Sequence, residues 1–224
     1  MRTLTCTLTT FIALFAAPAT AGPPSACNSD VPCGILLVGV NSNGVPDPAG
    51  TFTIITRHGN NAPWSHGSVV LDFGACPDAS ICSVQVTTGV VVACEPGART
   101  ITAMPNTSGV ITLTLVGGIA HRSTPATAGC LRIFAGGVLL TDGTCHEDVS
   151  VSALDESGDD GLGPADLSLW LADFFGPTYM PRSDFDHAAL CDRVLGPGDL
   201  SRWIGSFFGN YTSGCEALAG TLCP

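Results

Sequence analysis

Lysine is absent from this chain of 224 residues, and eight arginines stand against nineteen acidic residues, for a net charge of −11. Phosphate binding rests on a basic surface, so nucleic acid is excluded as a partner. Cys-x-x-Cys spacing is missing although eleven cysteines are present, which argues against zinc-thiolate sites and thioredoxin-like redox chemistry. No stretch approaches the roughly 20 apolar residues of a membrane-spanning helix. A Gly-x-Ser-x-Gly elbow, a phosphate loop and a His-Glu-x-x-His pair are also absent, and His58, His66, His121, His146 and His187 fall singly. The first four are expected in surface loops, and His187 outside any metal shell. Trp64 is expected to be a core residue at a strand end. The chain therefore reads as non-catalytic.

What is present begins with an export signal. Met1-Arg2 gives a positive start, Phe11 to Ala17 an apolar run, and Ala19-Thr20-Ala21 a small-x-small cleavage site. The mature chain is expected to start near Gly22 and to be secreted. Setting aside Cys6, the remaining cysteines are even in number, as disulfides in an oxidising compartment require. Their connectivity is open, with Cys191–Cys215 as a guess.

Two C-terminal stretches repeat at an offset of 33 residues, Gly163-Pro-Ala-Asp-Leu-Ser-Leu-Trp-Leu-Ala-Asp-Phe-Phe-Gly176 and Gly196-Pro-Gly-Asp-Leu-Ser-Arg-Trp-Ile-Gly-Ser-Phe-Phe-Gly209. Pro164 and Pro197 stand where a helix begins, Gly176 and Gly209 where one ends. Leu167, Trp170, Leu171 and Phe174 form an i, i+3, i+4, i+7 stripe, repeated by Leu200, Trp203, Ile204 and Phe207. Helices of three turns cannot stand alone in water, so the two stripes are expected to pack face to face.

From Cys27 to Leu154 the pattern is short and β-branched. Strands are expected at 34–40, 51–56, 68–73, 99–103, 109–116, 131–134 and 149–153, separated by Gly, Pro, Asn and Asp clusters. Thr112 and Thr114 alternate with Ile111, Leu113 and Leu115, which gives that strand one wet face. Three segments, Thr53-Ile-Ile-Thr-Arg-His-Gly-Asn-Asn-Ala-Pro63, Gly67-Ser-Val-Val-Leu-Asp-Phe73 and Pro105-Asn-Thr-Ser-Gly-Val-Ile-Thr-Leu-Thr-Leu115, resemble bacterial immunoglobulin-like domains of the invasin/intimin type. The resemblance implies an immunoglobulin-like β-sandwich.

Ten of the nineteen acids fall between Asp155 and Asp199. Counted from Asp155, Ser157 and Asp159 occupy the third and fifth places of a twelve-residue loop. The Gly161 carbonyl is seventh, Leu162 is the apolar plug at the eighth, and Asp166 closes at the twelfth. Alternate oxygen ligands closed by an acid just inside a helix are the pattern of an EF-hand-type loop, and carboxylate-rich ligation on a long loop suits Ca²⁺ over Mg²⁺. The sixth place, usually glycine for its left-handed backbone, holds Asp160, which tolerates that conformation better than most residues. In the second copy Asp199 is the twelfth place, Asp192 the fifth, Arg193 the sixth and the Val194 carbonyl the seventh. Counting back without a gap puts Ala188 and Leu190 at the first and third places, where they cannot ligate. A four-residue insertion at 188–191 restores Asp184 and Asp186 instead. A degenerate, metal-free second loop is the alternative.

The duplicated loop and helix, with its twice-repeated Gly-Pro-x-Asp-Leu-Ser-x-Trp, resembles the dockerin family. The resemblance implies a calcium-folded module that docks on a protein partner, cohesin-like or self. Family members often carry Ser/Thr pairs at the tenth and eleventh loop places, where this chain has Pro164-Ala165 and Pro197-Gly198. The expected architecture is thus mainly β: a signal peptide at 1–21, an immunoglobulin-like sandwich at 22–154, and a small all-α dockerin-like module at 155–224. The expected role is calcium-dependent attachment or assembly at or outside the cell surface. A self-assembling surface-layer or fibre subunit and a carbohydrate-binding or hydrolytic accessory protein are the alternatives.

Overall fold

A computed structural model of the chain describes residues 22–95, 98–119, 129–147, 149–186 and 192–223. The signal segment, His121, His187, Ala188, Leu190 and Cys191 lie outside the described residues. The fold is mainly β. Its largest sheet is antiparallel, with strand order β10 (Val138–Leu139), β9 (Arg132–Ala135), β3 (Val69–Asp72), β6 (Ala98–Ala103), β5 (Val91–Glu95). Three two-stranded pairings accompany it. Strand β2 (Thr51–Ile55) runs antiparallel to β7 (Val110–Thr114), β4 (Ala79–Ile81) antiparallel to β8 (Gly117–Ile119), and β1 (Gly34–Leu37) parallel to β11 (Ser150–Ala153).

All seven expected strands are present. The β2–β7 register sets Thr51 opposite Thr114 and Thr53 opposite Thr112, with hydroxyls paired across the wet face, while Phe52, Ile54, Ile111 and Leu113 are buried beneath. The four further strands, β4, β5, β8 and β10, are short or weakly alternating and give little sequence signal.

Strand β1 separates two cores. Ile35 and Leu37 join the main cluster with Ile54, Leu71, Phe73, Ile101, Leu113 and Ile133. Leu36 and Val38, on its other face, join Leu154, Leu162, Trp170, Phe185 and Trp203. A strand buried on both faces reads as an unbroken apolar run, and Ile35-Leu-Leu-Val38 is such a run.

Helices α1 (Pro164–Phe174) and α2 (Pro197–Phe208) begin at the two prolines, as expected. They do not simply bury each other. Trp170 and Trp203 share the cluster supplied by β1, and Leu171, Phe174 and Ile204 remain exposed. The buried line of α1 is Asp166, Trp170, Asp173 and that of α2 is Asp199, Trp203, Ser206. Each helix is turned so that its polar residues, as well as its tryptophan, reach partners inside.

Four cystines have both halves among the described residues: Cys27–Cys145, Cys76–Cys130, Cys82–Cys215 and Cys94–Cys223. The Cys191–Cys215 guess is wrong, because Cys215 is bonded to Cys82. The reason is topological. The segment after α2 returns to the β part, where Val40 and Ser213 exchange backbone hydrogen bonds and the Cys223 N–H donates to Ile81 O at 2.8 Å. Two cystines thus tie the C-terminal tail to strand-bearing regions more than 120 residues earlier.

Candidate metal centre

The first loop leaves β11 directly. Leu154 N–H still bonds Leu37 O at 3.2 Å, and the Asp155 carbonyl accepts from Ile119 N–H at 2.8 Å. The first-place residue is therefore fixed by the β framework. At the other end α1 starts, and the Asp166 carboxylate closes the loop by accepting from Ser157 N–H at 2.8 Å and Gly163 N–H at 2.7 Å. A carboxylate in the first turn also faces the positive end of the helix dipole. Asp155, Asp159 and Asp166 each place a carboxylate oxygen within 4.8 Å of the others. Ser157 Oγ stands 3.4 Å from Asp155 Oδ1.

The second loop is built the same way with a longer excursion. Asp199 closes it by accepting from Phe185 N–H at 2.6 Å, Asp186 N–H at 3.1 Å and Gly196 N–H at 2.8 Å. Asp186 thus stands to Asp199 as Ser157 stands to Asp166. Carboxylate oxygens of Asp184, Asp186 and Asp192 lie within 4.8 Å of one another. These are three of the acids that the count with a four-residue insertion names, whereas Ala188 and Leu190 of the ungapped count lie outside the described residues. Gly198 stands where the first copy has Ala165, and a Cβ there would meet the Asp186 carboxylate.

The sixth places agree as well. Asp160 has φ 70° and Arg193 φ 55°, the left-handed backbone that glycine usually supplies. Asp160 is held there by accepting from Cys215 N–H at 2.6 Å and Glu216 N–H at 3.0 Å, which caps the 3-10 turn at 215–218. Arg193 reaches out to Glu147 at 2.5 Å in an exposed pair. At the eighth place Leu162 N–H donates to Thr212 O at 3.1 Å, and Gly161 is bridged to Ser213, so the first loop joins the returning tail. Val194 is exposed, and the structure leaves Gly161 and Val194 as carbonyl candidates by position alone.

Crowded carboxylates dominate the electrostatics. Burial, then the charges of Asp166 and Asp159, pushes Asp155 up to about 7. Asp184 is likewise pushed up to about 7, by burial first and by Asp199, Asp186 and Asp192, against the Tyr179 hydroxyl that donates to it at 2.6 Å. Burial also raises Asp199. Asp186 Oδ1 is buried and accepts no hydrogen bond. A buried carboxylate oxygen without a donor, among other carboxylates, is costly unless a cation faces it. All donors of both groups are oxygens, the set that a hard divalent cation takes.

Sequence reasoning missed several buried groups around these loops. Asp173 on α1 grips Arg182 through two bonds, Nε–Oδ2 at 2.7 Å and Nη2–Oδ1 at 2.8 Å, and accepts from Ser183 Oγ at 2.6 Å. Glu156 is fully buried beside that Ser183 hydroxyl. Burial, reinforced by Asp173 and Asp166, holds Glu156 well above the ordinary carboxylate range. His58 is buried rather than on a surface loop, and His146 Nε2 lies 2.7 Å from Ser29 O. Trp64 is in the core, as expected. No known protein family, no characterised protein and no solved structure matches this chain.

Proposed function

We propose that this is an exported, non-catalytic calcium-binding protein that serves attachment or assembly at or outside the cell surface. In this reading the β part is immunoglobulin-like, and the stretch from Asp155 onward is a dockerin-like module folded by Ca²⁺ and directed at a protein partner. The observation that carries it is the twofold construction: two loops of one repeat each gather three carboxylates within 4.8 Å and hold a non-glycine sixth place in the left-handed region. Asp155, Ser157, Asp159, Asp166 and the Gly161 carbonyl would hold the first ion. Asp184, Asp186, Asp192, Asp199 and the Val194 carbonyl would hold the second. The metal supplies the positive charge that these buried acids otherwise lack.

Export is supported by the cystines, which persist in oxidising compartments. A protein-directed role is supported by Phe175 and Phe208, which stand 79% and 75% exposed at the same place in each repeat. The test uses the full processed chain with its cystines intact. Removing calcium with EDTA should lower helical circular dichroism and shift the fluorescence of Trp170 and Trp203. Identical spectra with and without calcium would refute the reading.

A further inference from the structure

The two loops are joined by a buried connection. It starts at Asp166, which closes the first loop from the third position of α1. One turn on, Trp170 Nε1 donates to the Ser183 carbonyl at 3.1 Å. At Asp173 the same helix binds the Ser183 hydroxyl and the Arg182 guanidinium. The residue after Ser183 is Asp184, the first-place acid of the second loop. From the other side Glu156, next to Asp155, packs against Ser183. Asp173, Arg182, Ser183 and Glu156 are all 6% exposed or less. Helix α1 therefore grips the entry to the second loop at two successive turns, while its own N-terminus is set by the first.

We propose that Asp173 is a positioning residue for the second metal site, through which filling the first loop raises the second loop's affinity for a divalent cation. The inference rests on the calcium reading above. An ion in the first loop fixes Asp155 and Asp166, which sets both Glu156 and the start of α1. Trp170 and Asp173 then hold Arg182-Ser183 so that Asp184 faces Asp186 and Asp192. Such coupling is reciprocal. The first loop accordingly gains from occupancy of the second by the same factor. The repeat-equivalent of Asp173 is Ser206, which donates instead to Asp47 in the turn before β2. Of the two helices, therefore, it is α1 whose tenth residue connects the loops.

Calcium titration of the full chain, followed by calorimetry and by tryptophan fluorescence, tests this. The wild-type protein should fill both sites cooperatively, with a coupling factor of roughly 5–150. Asp173→Asn, and the milder Ser183→Ala should the first not fold, ought to leave the first binding step, with the second loop empty, within about twofold while the second step weakens by most of that factor. Disabling the first loop with Asp166→Asn should weaken the second loop similarly, and adding Ser183→Ala to it should bring little further loss. A role confined to stability would lower the melting temperature of Ser183→Ala without separating the two binding steps. Two independent steps in the wild type, or coupling unchanged in both variants, overturns the proposal while leaving calcium binding intact. No calcium binding overturns both.

Discussion

At the tenth helical position the two copies of the repeat differ in their connections: α1 carries Asp173 where, offset by 33 residues, α2 carries Ser206. Before that position the two share their principal contacts. Both helices start on proline, both turn an aspartate back onto the loop N–H groups, both place a serine hydroxyl on the carbonyl four residues earlier, and both bury a tryptophan. Beyond it their connections differ. The first helix holds the second loop through Arg182 and Ser183, whereas the second helix holds the β part through Asp47. A duplicated unit can thus acquire direction: copy one braces copy two, and copy two braces the framework from which copy one emerges.

Removing calcium should level this arrangement, and it is the largest effect expected. An ion at about 1,000 times its dissociation constant adds about 4 kcal/mol to whatever it folds. Chelation should therefore lower the melting temperature of the whole chain steeply, since the tail is tied to the β part by Cys82–Cys215 and Cys94–Cys223. Differential scanning calorimetry with calcium and with EDTA measures the difference.

The equivalent substitutions on the two helices should differ in cost. Asp173→Asn weakens the partner of an Arg182 that is 2% exposed, and breaking a buried pair costs about 3–5 kcal/mol. Ser206→Ala removes one hydroxyl from the buried Asp47 and should cost about 1–3 kcal/mol. Denaturant unfolding of the two variants compares them, and equal losses would erase the asymmetry.

Acidity should act oppositely with and without metal. Asp155 and Asp184 are pushed up to about 7 in the fold, against about 3.9 in an unfolded chain. Between those values the folded form keeps protons that the unfolded form releases, so metal-free stability falls as pH rises from about 4 to about 7. Calcium competes for the same oxygens, so its affinity should rise over that window. Melting curves at pH 5 and pH 8, each with and without calcium, should show the two trends crossing.

The smallest contrast lies at the sixth places. Arg193→Gly relieves a left-handed side chain costing about 1–2 kcal/mol and gives up an exposed pair worth about 0–1 kcal/mol, for a net gain near 1 kcal/mol. Asp160→Gly relieves the same strain but loses two charge-assisted bonds to Cys215 and Glu216 N–H, each worth about 1.5–3 kcal/mol, and should destabilise. Chemical denaturation of the pair reads the opposite signs.

Local chemistry was legible in the sequence and long-range pairing was not. Proline and the apolar period placed both helices within a residue or two of Pro164–Phe174 and Pro197–Phe208. Alternate acids placed both loops, and the tolerance of aspartate for positive φ anticipated Asp160. The stripe through Leu171 and Ile204 misled, because the third partner of the helices, β1, lies more than 120 residues away in sequence. Asp173 carries no distinguishing local pattern; only its meeting with Arg182 and Ser183 gives it a role. His58, the parallel pairing of β1 with β11, and the Cys82–Cys215 bond are likewise consequences of topology. The nearest available signal for Asp173 was its replacement by serine in the second copy.

The central claim is that two clusters of buried carboxylates are completed by bound cations. Isothermal titration of the full, disulfide-intact chain with calcium, after exhaustive chelation, addresses it directly. Two ions should bind per chain, with proton release on binding near neutral pH. A titration showing no heat and no change in helicity up to millimolar calcium would contradict it.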